Sequence, residues 1–167
     1  MNARPRHRVL AGLLLALAGP AGCQTASQDF AELTEAFDPV TPREAAVMML
    51  DPQDAAARRR GTVLIANSTF GGVDVYVTQY RDMVQFQRNP LVLAVAVRAL
   101  AKHGEPSDAL LITPHLDHPN EKVRWEAAKG LQRLHNPDAV DPLLETLINE
   151  DADRDVRTAA AIALGQY

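Results

Sequence analysis

Small and branched aliphatic residues recur along the chain in four segments that align with one another. Each segment has a small residue three positions after its first residue and a branched aliphatic residue four positions further on. The segments begin at Arg58, Leu93, Arg124 and Arg157, so successive copies are 35, 31 and 33 residues apart. A repeat of this length is typical of a solenoid, in which each unit buries its apolar face against its neighbours.

The spacing within the segments is that of an amphipathic helix. Val123, Ala127, Leu131 and Leu134 lie on one face of a helix with 3.6 residues per turn. The same stripe recurs at Val92, Ala96 and Leu100 and at Val156, Ala160, Leu164 and Tyr167. The small residue in the second place, which is Gly61 in the first copy, lets a neighbouring helix approach closely. We therefore predict an all-α fold, an α-solenoid of helical hairpins with about three and a half repeats.

The first full copy is the least regular. It predicts a helix over residues 53–67 and a second helix that ends near Gln87. Residues 73–77 are β-branched at alternate positions, which also fits a β-hairpin across Gly71 and Gly72. The repeat frame favours the two helices.

Cap and turn signals place the other helices. Thr41 is a predicted N-cap, and Pro42 follows it at the first helical position. Residues 45–50 are predicted to form the body of that helix. Second helices are predicted over residues 108–117 and 141–149, and Pro114 should end the first of these early.

The first 22 residues have the layout of a secretory signal peptide. Arg4, Arg6 and Arg8 form a basic start, residues 9–18 are apolar and residues 19–22 are small or proline. An apolar run of about ten residues is too short to span a bilayer.

The net charge of the chain limits the classes of partner that it can bind. Loss of the predicted signal would remove three of 17 Lys and Arg residues and none of 21 acids, which changes the net charge from −4 to −7. An acidic body argues against binding nucleic acid, whose affinity depends on cationic contacts to phosphate. Aromatic residues are only 5% of the chain, so Ala and Leu must form the core.

Cys23 is the only cysteine, so no disulfide can form within the chain. Together with Ala21 and Gly22 it resembles the lipobox of bacterial lipoproteins, in which the cysteine is acylated and becomes the mature N-terminus. The sequence departs from that pattern at Pro20, where the family usually has Leu. An ordinary cleaved signal with an incidental cysteine is the alternative.

Three parts are predicted: a signal peptide over residues 1–22, a tether over residues 23–41 that the lipobox resemblance makes lipid-anchored, and a repeat domain over residues 42–167 whose start is marked by Pro39 and Pro42. It also implies attachment to a membrane of the bacterial cell envelope. Gln24 favours the outer membrane, because an Asp at that position retains some lipoproteins in the inner membrane.

Residues 122–131 and 155–165 share a motif of Val-Arg followed by small residues and a leucine. They resemble the HEAT-like repeats of the type first recognised in phycobilisome lyases. The resemblance is specific over residues 89–167 and looser over residues 42–88. It implies a curved α-solenoid that binds proteins, in which the Val-Arg pair packs each unit on the previous one. With the lipobox, the whole chain resembles a HEAT-repeat lipoprotein.

Polar side chains offer few candidates for chemistry. His115, Asp117 and His118 have the spacing of metal ligands, but a metal site needs three or four convergent ligands with oriented partners. The sequence has no nucleophile elbow, phosphate loop or Ser-His-Asp pattern. We predict no catalytic residue, no metal and no cofactor.

Arg58, Arg59 and Arg60 form the only basic run, and we predict that one of them packs between repeats while two face water. Trp125 is predicted to pack rather than to stack on a ligand. Arg124 and Arg157 should contact acids of neighbouring repeats, and the candidate acids are Asp117 and Asp151.

The predicted function is a non-enzymatic, membrane-anchored scaffold for protein–protein interaction. The alternatives are a lyase or isomerase that acts on a protein-bound chromophore, which the family resemblance suggests, and a purely structural envelope protein. Second helices of such solenoids line a concave face, with core positions expected at Val84, Leu116 and Leu147. The predicted partner-binding residues are Met83, His115 and Thr146 in a row, with Gln79, Glu145 and Asn149 beside it.

The last copy predicts a second interaction surface, at the C-terminal end of the solenoid. Val156, Ala160 and Leu164 should pack backward on the third copy. The positions then expected to be partly exposed are Ala159, Ile162 and Ala163. We predict self-association, or a partner, through this end of the solenoid.

Overall fold

The computed structural model of the protein describes residues 40–167, and every regular element in this range is helical. The α-helices are α1 Pro42–Leu50, α2 Ala55–Asn67, α3 Asp74–Phe86, α4 Pro90–His103, α5 Ala109–Ile112, α6 Glu121–Leu134, α7 Val140–Ile148 and α8 Arg154–Leu164. Short 3-10 turns cover Pro106–Asp108, Thr113–Asp117 and Pro137–Ala139. The predicted all-α solenoid is confirmed, and α3 replaces the alternative β-hairpin. The predicted signal peptide, Cys23 and residues 24–39 lie outside the described residues.

The helices form two layers. Helices α2, α4, α6 and α8 pack side by side in chain order, and we call them the first-helix layer. The second-helix layer consists of α1, α3, residues 106–117 and α7, which pack on α2, α4, α6 and α8 respectively. Each second helix therefore packs on the first helix of the following copy. Helix α7 therefore pairs with α8, and these two helices form a complete hairpin.

Side-chain caps fix where the helices begin. The Thr41 hydroxyl accepts a hydrogen bond from the backbone N–H of Glu44 at 3.3 Å, and the Glu44 carboxylate accepts one from the backbone N–H of Thr41 at 2.8 Å. This reciprocal pair is a capping box, and it confirms the predicted N-cap. The side-chain caps of α2, α4 and α6 are Asp54, Asn89 and Asn120.

The third second-layer element is broken by proline. Residues 108–117, predicted as one helix, form the four-residue α5 flanked by two 3-10 turns. Helix α5 ends at Ile112, two residues before Pro114. A proline lacks the N–H that a helix needs, and its ring clashes with the carbonyl group four residues earlier. The predicted early end is confirmed.

The repeated stripe of the first-helix layer is buried. The fully buried members are Val92, Ala96, Leu100, Val123, Ala127, Leu131, Val156 and Ala160. The small residue of the first copy, Gly61, lies against the backbone of α1. A Cβ there would lie 2.5 Å from the carbonyl oxygen of Ala45 and 2.8 Å from the carbonyl carbon of Met48. The close approach that the small residue predicted is confirmed.

The end of the solenoid is better covered than predicted. Ala159 and Ala163 are buried, whereas Ile162 is 52% exposed. The expectation of exposed alanines is wrong because α8 packs on both α6 and α7. Tyr167 lies beyond the end of α8 rather than on its stripe, and its hydroxyl donates to the carbonyl oxygen of Leu131 at 3.0 Å.

Arginines at the first position of three copies hold the ends of the preceding second-layer elements. The donor–acceptor pairs are Arg58 Nη1 to Asp51 O at 2.8 Å, Arg124 Nη1 to His118 O at 2.7 Å and Arg157 Nε to Leu147 O at 3.2 Å. Carbonyl groups at a helix end lack intrahelical partners, so these guanidinium groups satisfy them. The predicted acids, Asp117 and Asp151, are wrong partners. Arg124 instead pairs with Asp153, with its Nε 2.9 Å from Oδ2.

Candidate protein-binding surface

The structure buries two of the three residues in the predicted partner-binding row. Met83 is 6% exposed and Thr146 is 7% exposed. The Thr62 hydroxyl donates to the sulfur of Met83 at 3.8 Å, and the Thr146 hydroxyl donates to the carbonyl oxygen of Pro142 at 2.9 Å. The prediction that this row is open is therefore wrong. Besides packing on the first-helix layer, α3 packs on α5 and residues 113–117 pack on α7, so these second-layer elements have neighbours on two sides.

His115, the third member of the row, is half-buried, and its Nε2 lies 3.0 Å from the carbonyl oxygen of Val84. Burial lowers the pKa of His115; the hydrogen bond to Val84 opposes this shift, and nearby His118 adds to it. His118 is itself engaged, because its Nδ1 accepts from the backbone N–H of Asn120 at 3.0 Å. Nowhere in residues 40–167 do three potential metal ligands converge.

The flanking predicted residues remain at the surface. Gln79 is half-buried, and Glu145 and Asn149 are exposed. Their role in binding a partner stays a prediction. Of the expected core positions, Val84 and Leu116 are buried, while Leu147 is only half-buried.

An open groove of about 470 Å³ lies between the α1–α2 turn and α3. Gln79 and Met83 line it, so part of the predicted surface does face a groove. Two large apolar side chains stand in its wall: Leu50 is 57% exposed and Phe86 is 73% exposed. The groove also has two charges of each sign, from Arg58, Arg88, Asp51 and Asp82.

Helix α7 presents a second apolar surface. Leu143 and Thr146 face the core, and on the opposite side Leu144 is 43% exposed and Ile148 is 73% exposed. Asp141 and Glu145 lie on that same side, because positions i, i+3, i+4 and i+7 share one face of a helix. We call Asp141, Leu144, Glu145 and Ile148 the α7 face.

Sequence reasoning missed these exposed apolar side chains. The signal was present, since Leu143 and Leu144 are adjacent and Leu147 and Ile148 repeat the pair four residues later. One helix face cannot bury both members of such pairs, so one stripe must face outward.

Charge separates between the two layers. The four helices of the first-helix layer carry 11 Lys and Arg residues and three acids. The rest of residues 40–167 carries three Lys and Arg residues and 14 acids. The first-helix layer therefore has a formal charge of +8, and the second-helix layer with its loops has −11.

Ion pairs within residues 40–167 neutralise only three acids. Asp108 is buried and binds Arg81 through both carboxylate oxygens, at 2.6 and 3.0 Å. Glu126 lies 3.6 Å from Arg98. Asp153 binds Arg124.

The first-helix layer has a smaller groove between α6 and α8. Lys129 Nζ lies 3.9 Å from the ring centroid of Trp125, a cation–π contact. Trp125 is half-buried and packs against the core, as predicted. Of the basic run, Arg58 is half-buried while Arg59 and Arg60 are exposed, which also confirms the prediction.

Two layers of repeated helix pairs around a continuous core define an α-solenoid protein. A family model described as HEAT repeats matches residues 81–165, which is just over half of the chain. The chain therefore belongs to the HEAT-repeat family. No curated protein matches the sequence. Among the helices of residues 40–167, none is both long and apolar enough to cross a bilayer.

Proposed function

We propose that this HEAT-repeat chain is a non-enzymatic scaffold that binds a protein partner through its second-helix layer. The observation that carries the proposal is the distribution of exposed apolar side chains. Seven large ones lie on second-layer elements within residues 42–148, and they are Val47, Leu50, Val75, Phe86, Leu110, Leu144 and Ile148. Exposed apolar patches rimmed by polar residues mark interaction sites on soluble domains. HEAT repeats commonly mediate protein–protein interaction, which supports the same conclusion.

The ionisable groups with shifted pKa values support a binding role over catalysis. Burial raises the pKa of Tyr80 to about 12, and this side chain is fully buried in the core. His115 has a lowered pKa, but its ring is engaged with the backbone of α3. Catalytic acids and bases with shifted pKa values lie in clefts that a substrate can reach.

A photo-crosslinking amino acid placed at Phe86 or Ile148 tests the binding surface. In cells it should form adducts of higher mass that identify the partner. The matched control is Leu91, which is 48% exposed on the first-helix layer and should give no adduct. Adducts from position 91 alone, or from none of the three, would refute the proposal.

The anchor in this proposal is an acyl group on Cys23, which would hold the scaffold on a membrane of the bacterial envelope, with the outer membrane favoured. The full chain should then incorporate radioactive palmitate and partition into detergent. Cys23→Ala should lose the label and leave the membrane fraction. Label-free chains that stay bound to the membrane would rule out this anchor.

Self-association through α8 is a further part of the proposal, supported by the exposed side chain of Ile162. Sedimentation of the full chain should show a concentration-dependent dimer that Ile162→Ser weakens. A monomer at all concentrations would exclude it.

A further inference from the structure

Within residues 40–167 the α7 face defined above is exposed, and it combines apolar and acidic side chains. Leu144 and Ile148 lie one helical turn apart and are 43% and 73% exposed. Asp141 and Glu145, also one turn apart, flank them. Whatever covers this face must therefore bring apolar groups and positive charges together.

The chain segment that contains α7 is acidic, and its nearest cations are on α8, where Arg157 is already bonded to the Leu147 carbonyl oxygen. Residues 135–153 contain Asp138, Asp141, Glu145, Glu150, Asp151 and Asp153, and they contain no Lys or Arg. Of these six acids, only Asp153 forms an ion pair within the described residues. The other five carboxylates raise the negative potential around the two exposed apolar side chains.

Asp141 lies in the first turn of α7, where an acid is favourable, but the acids at the other end of the helix do not stabilise it. Helix C-termini carry a partial negative charge, so acids placed there are unfavourable and cations are favoured. The last turn of α7 has no basic residue, and Glu145, Glu150 and Asp151 lie within it or just after it. Arg157 of α8 donates to the Leu147 carbonyl oxygen at this end, but Glu145, Glu150 and Asp151 form no ion pair within residues 40–167.

We propose that the α7 face binds a cationic amphipathic segment of the protein partner, in which Lys or Arg residues flank large apolar side chains. This inference rests on the proposed scaffold function and names the class of partner. The apolar stripe of the segment packs on Leu144 and Ile148, and its cations pair with Asp141 and Glu145. A cation that approaches Glu150 and Asp151 also offsets the negative end of the helix.

A second copy of this chain fits the face less well. The first-helix layer is basic, but four of its cations already donate to backbone carbonyl oxygens. Those four residues are Arg58, Lys102, Arg124 and Arg157. A partner segment with one apolar stripe, flanked by Lys or Arg side chains that are not already hydrogen-bonded, matches the apolar and acidic residues of the α7 face better.

The probe is a synthetic 14-residue helical peptide of leucine and lysine with one apolar stripe. Two further peptides serve as controls: one with every lysine replaced by glutamate, and one with the same composition in scrambled order. Binding to the full chain is measured by fluorescence anisotropy. We expect the leucine–lysine peptide to bind, and raising the salt concentration from about 50 mM to about 500 mM should weaken it at least about tenfold.

Variants locate the site. Charge reversal in Asp141→Lys/Glu145→Lys should weaken binding at least about tenfold, and so should Leu144→Ser/Ile148→Ser. The matched controls are Glu121→Lys on α6 and Leu91→Ser on α4, both at exposed positions of the first-helix layer, and both should leave the affinity unchanged. Circular dichroism verifies that each variant is folded, and the salt series needs no variant.

Equal binding of the glutamate peptide, or binding that the α7 variants do not weaken, would overturn the proposal. If crosslinks from position 148 still identify a partner in that case, the scaffold function stands and only the partner class is wrong. If the α7 variants instead abolish a dimer in sedimentation, the occupant is a second copy, which also overturns the proposal.

Discussion

The first-helix and second-helix layers use the same kind of secondary structure for different purposes. In the first-helix layer the repeated stripe is buried, apart from the half-buried Leu164 at its end, and the small residues let helices approach closely. In the second-helix layer each element buries the residues that face the core. Large apolar side chains on its outer side, such as Phe86 and Ile148, are exposed. The first layer builds the solenoid, whereas the second layer presents a surface.

Charge sharpens the difference. Several cations of the first-helix layer are used within the structure, because they satisfy carbonyl groups at the ends of second-layer elements. Most acids of the second-helix layer form no ion pair within residues 40–167. Basic residues in this repeat thus contribute to folding, and the acids other than helix-capping ones such as Glu44 and Asp54 are available for recognition.

The strongest test of this comparison sets a core residue of one layer against an exposed residue of the other. Leu131→Ala should lower the free energy of unfolding by about 2–5 kcal/mol, because it leaves a cavity in the first-helix layer. Ile148→Ala should change it by about 0.5 kcal/mol or less, since that side chain is mostly in water. Urea unfolding of both variants measures this. Similar losses would mean that α7 contributes to the core on both sides.

The next test concerns close approach of helices. A methyl group at Gly61 would collide with the backbone of α1, so Gly61→Ala should displace α1 and cost about 1–3 kcal/mol. Hydrogen exchange should rise in α1 and stay unchanged in α7 and α8. Gly165→Ala is the control, because the nearest atom to its added methyl, the carbonyl oxygen of Ile162, would be 3.4 Å away. Unchanged exchange in α1 would contradict the packing role of the glycine.

The fold of the first-helix layer could be predicted from sequence because one physical requirement repeats in every copy. A buried stripe with a small second residue gave the right helices, and Pro114 gave the right break. Tyr167 shows where the pattern fails, since its position matches the stripe but the helix ends three residues earlier. A spacing rule holds only while the helix continues.

The surface was harder to predict, because exposure depends on neighbours that are distant in sequence. Met83 and Thr146 precede core positions by one residue, and an isolated helix would leave them partly open. In the structure Met83 contacts Thr62 of α2 and is 6% exposed, and Thr146 on α7 is 7% exposed. The apolar pairs in α7 did signal an outward stripe, but the core pattern of the same helix masked it.

A smaller effect is expected where the two layers are joined by Arg124. Arg124→Gln removes the pairing with Asp153 and weakens the contact with the carbonyl of His118, at a cost of about 1–2 kcal/mol. Arg133→Gln on the same helix is the control, since Arg133 is exposed and should cost about 0.5 kcal/mol or less. Thermal unfolding compares the two. If both variants lose the same stability, the arginine contact between copies adds nothing to the fold.

The smallest effect is a pH dependence in the second-helix layer. Burial lowers the pKa of His115 below its ordinary value of 6.5, so the unfolded chain binds a proton there more readily than the folded one. The stability that neutral His115 contributes is therefore complete above pH 6.5 and declines as the pH falls from there through the folded-state pKa.

His115→Gln keeps a donor for the carbonyl of Val84 but cannot titrate, so its melting temperature should fall less between about pH 7.5 and about pH 5.5 than that of the unmodified chain. His135→Asn is the matched control at an exposed histidine with a left-handed backbone, which asparagine tolerates, and it should keep the full pH dependence. A pH dependence that persists in His115→Gln and disappears in His135→Asn would place the titrating group outside the contact between residues 106–117 and α3.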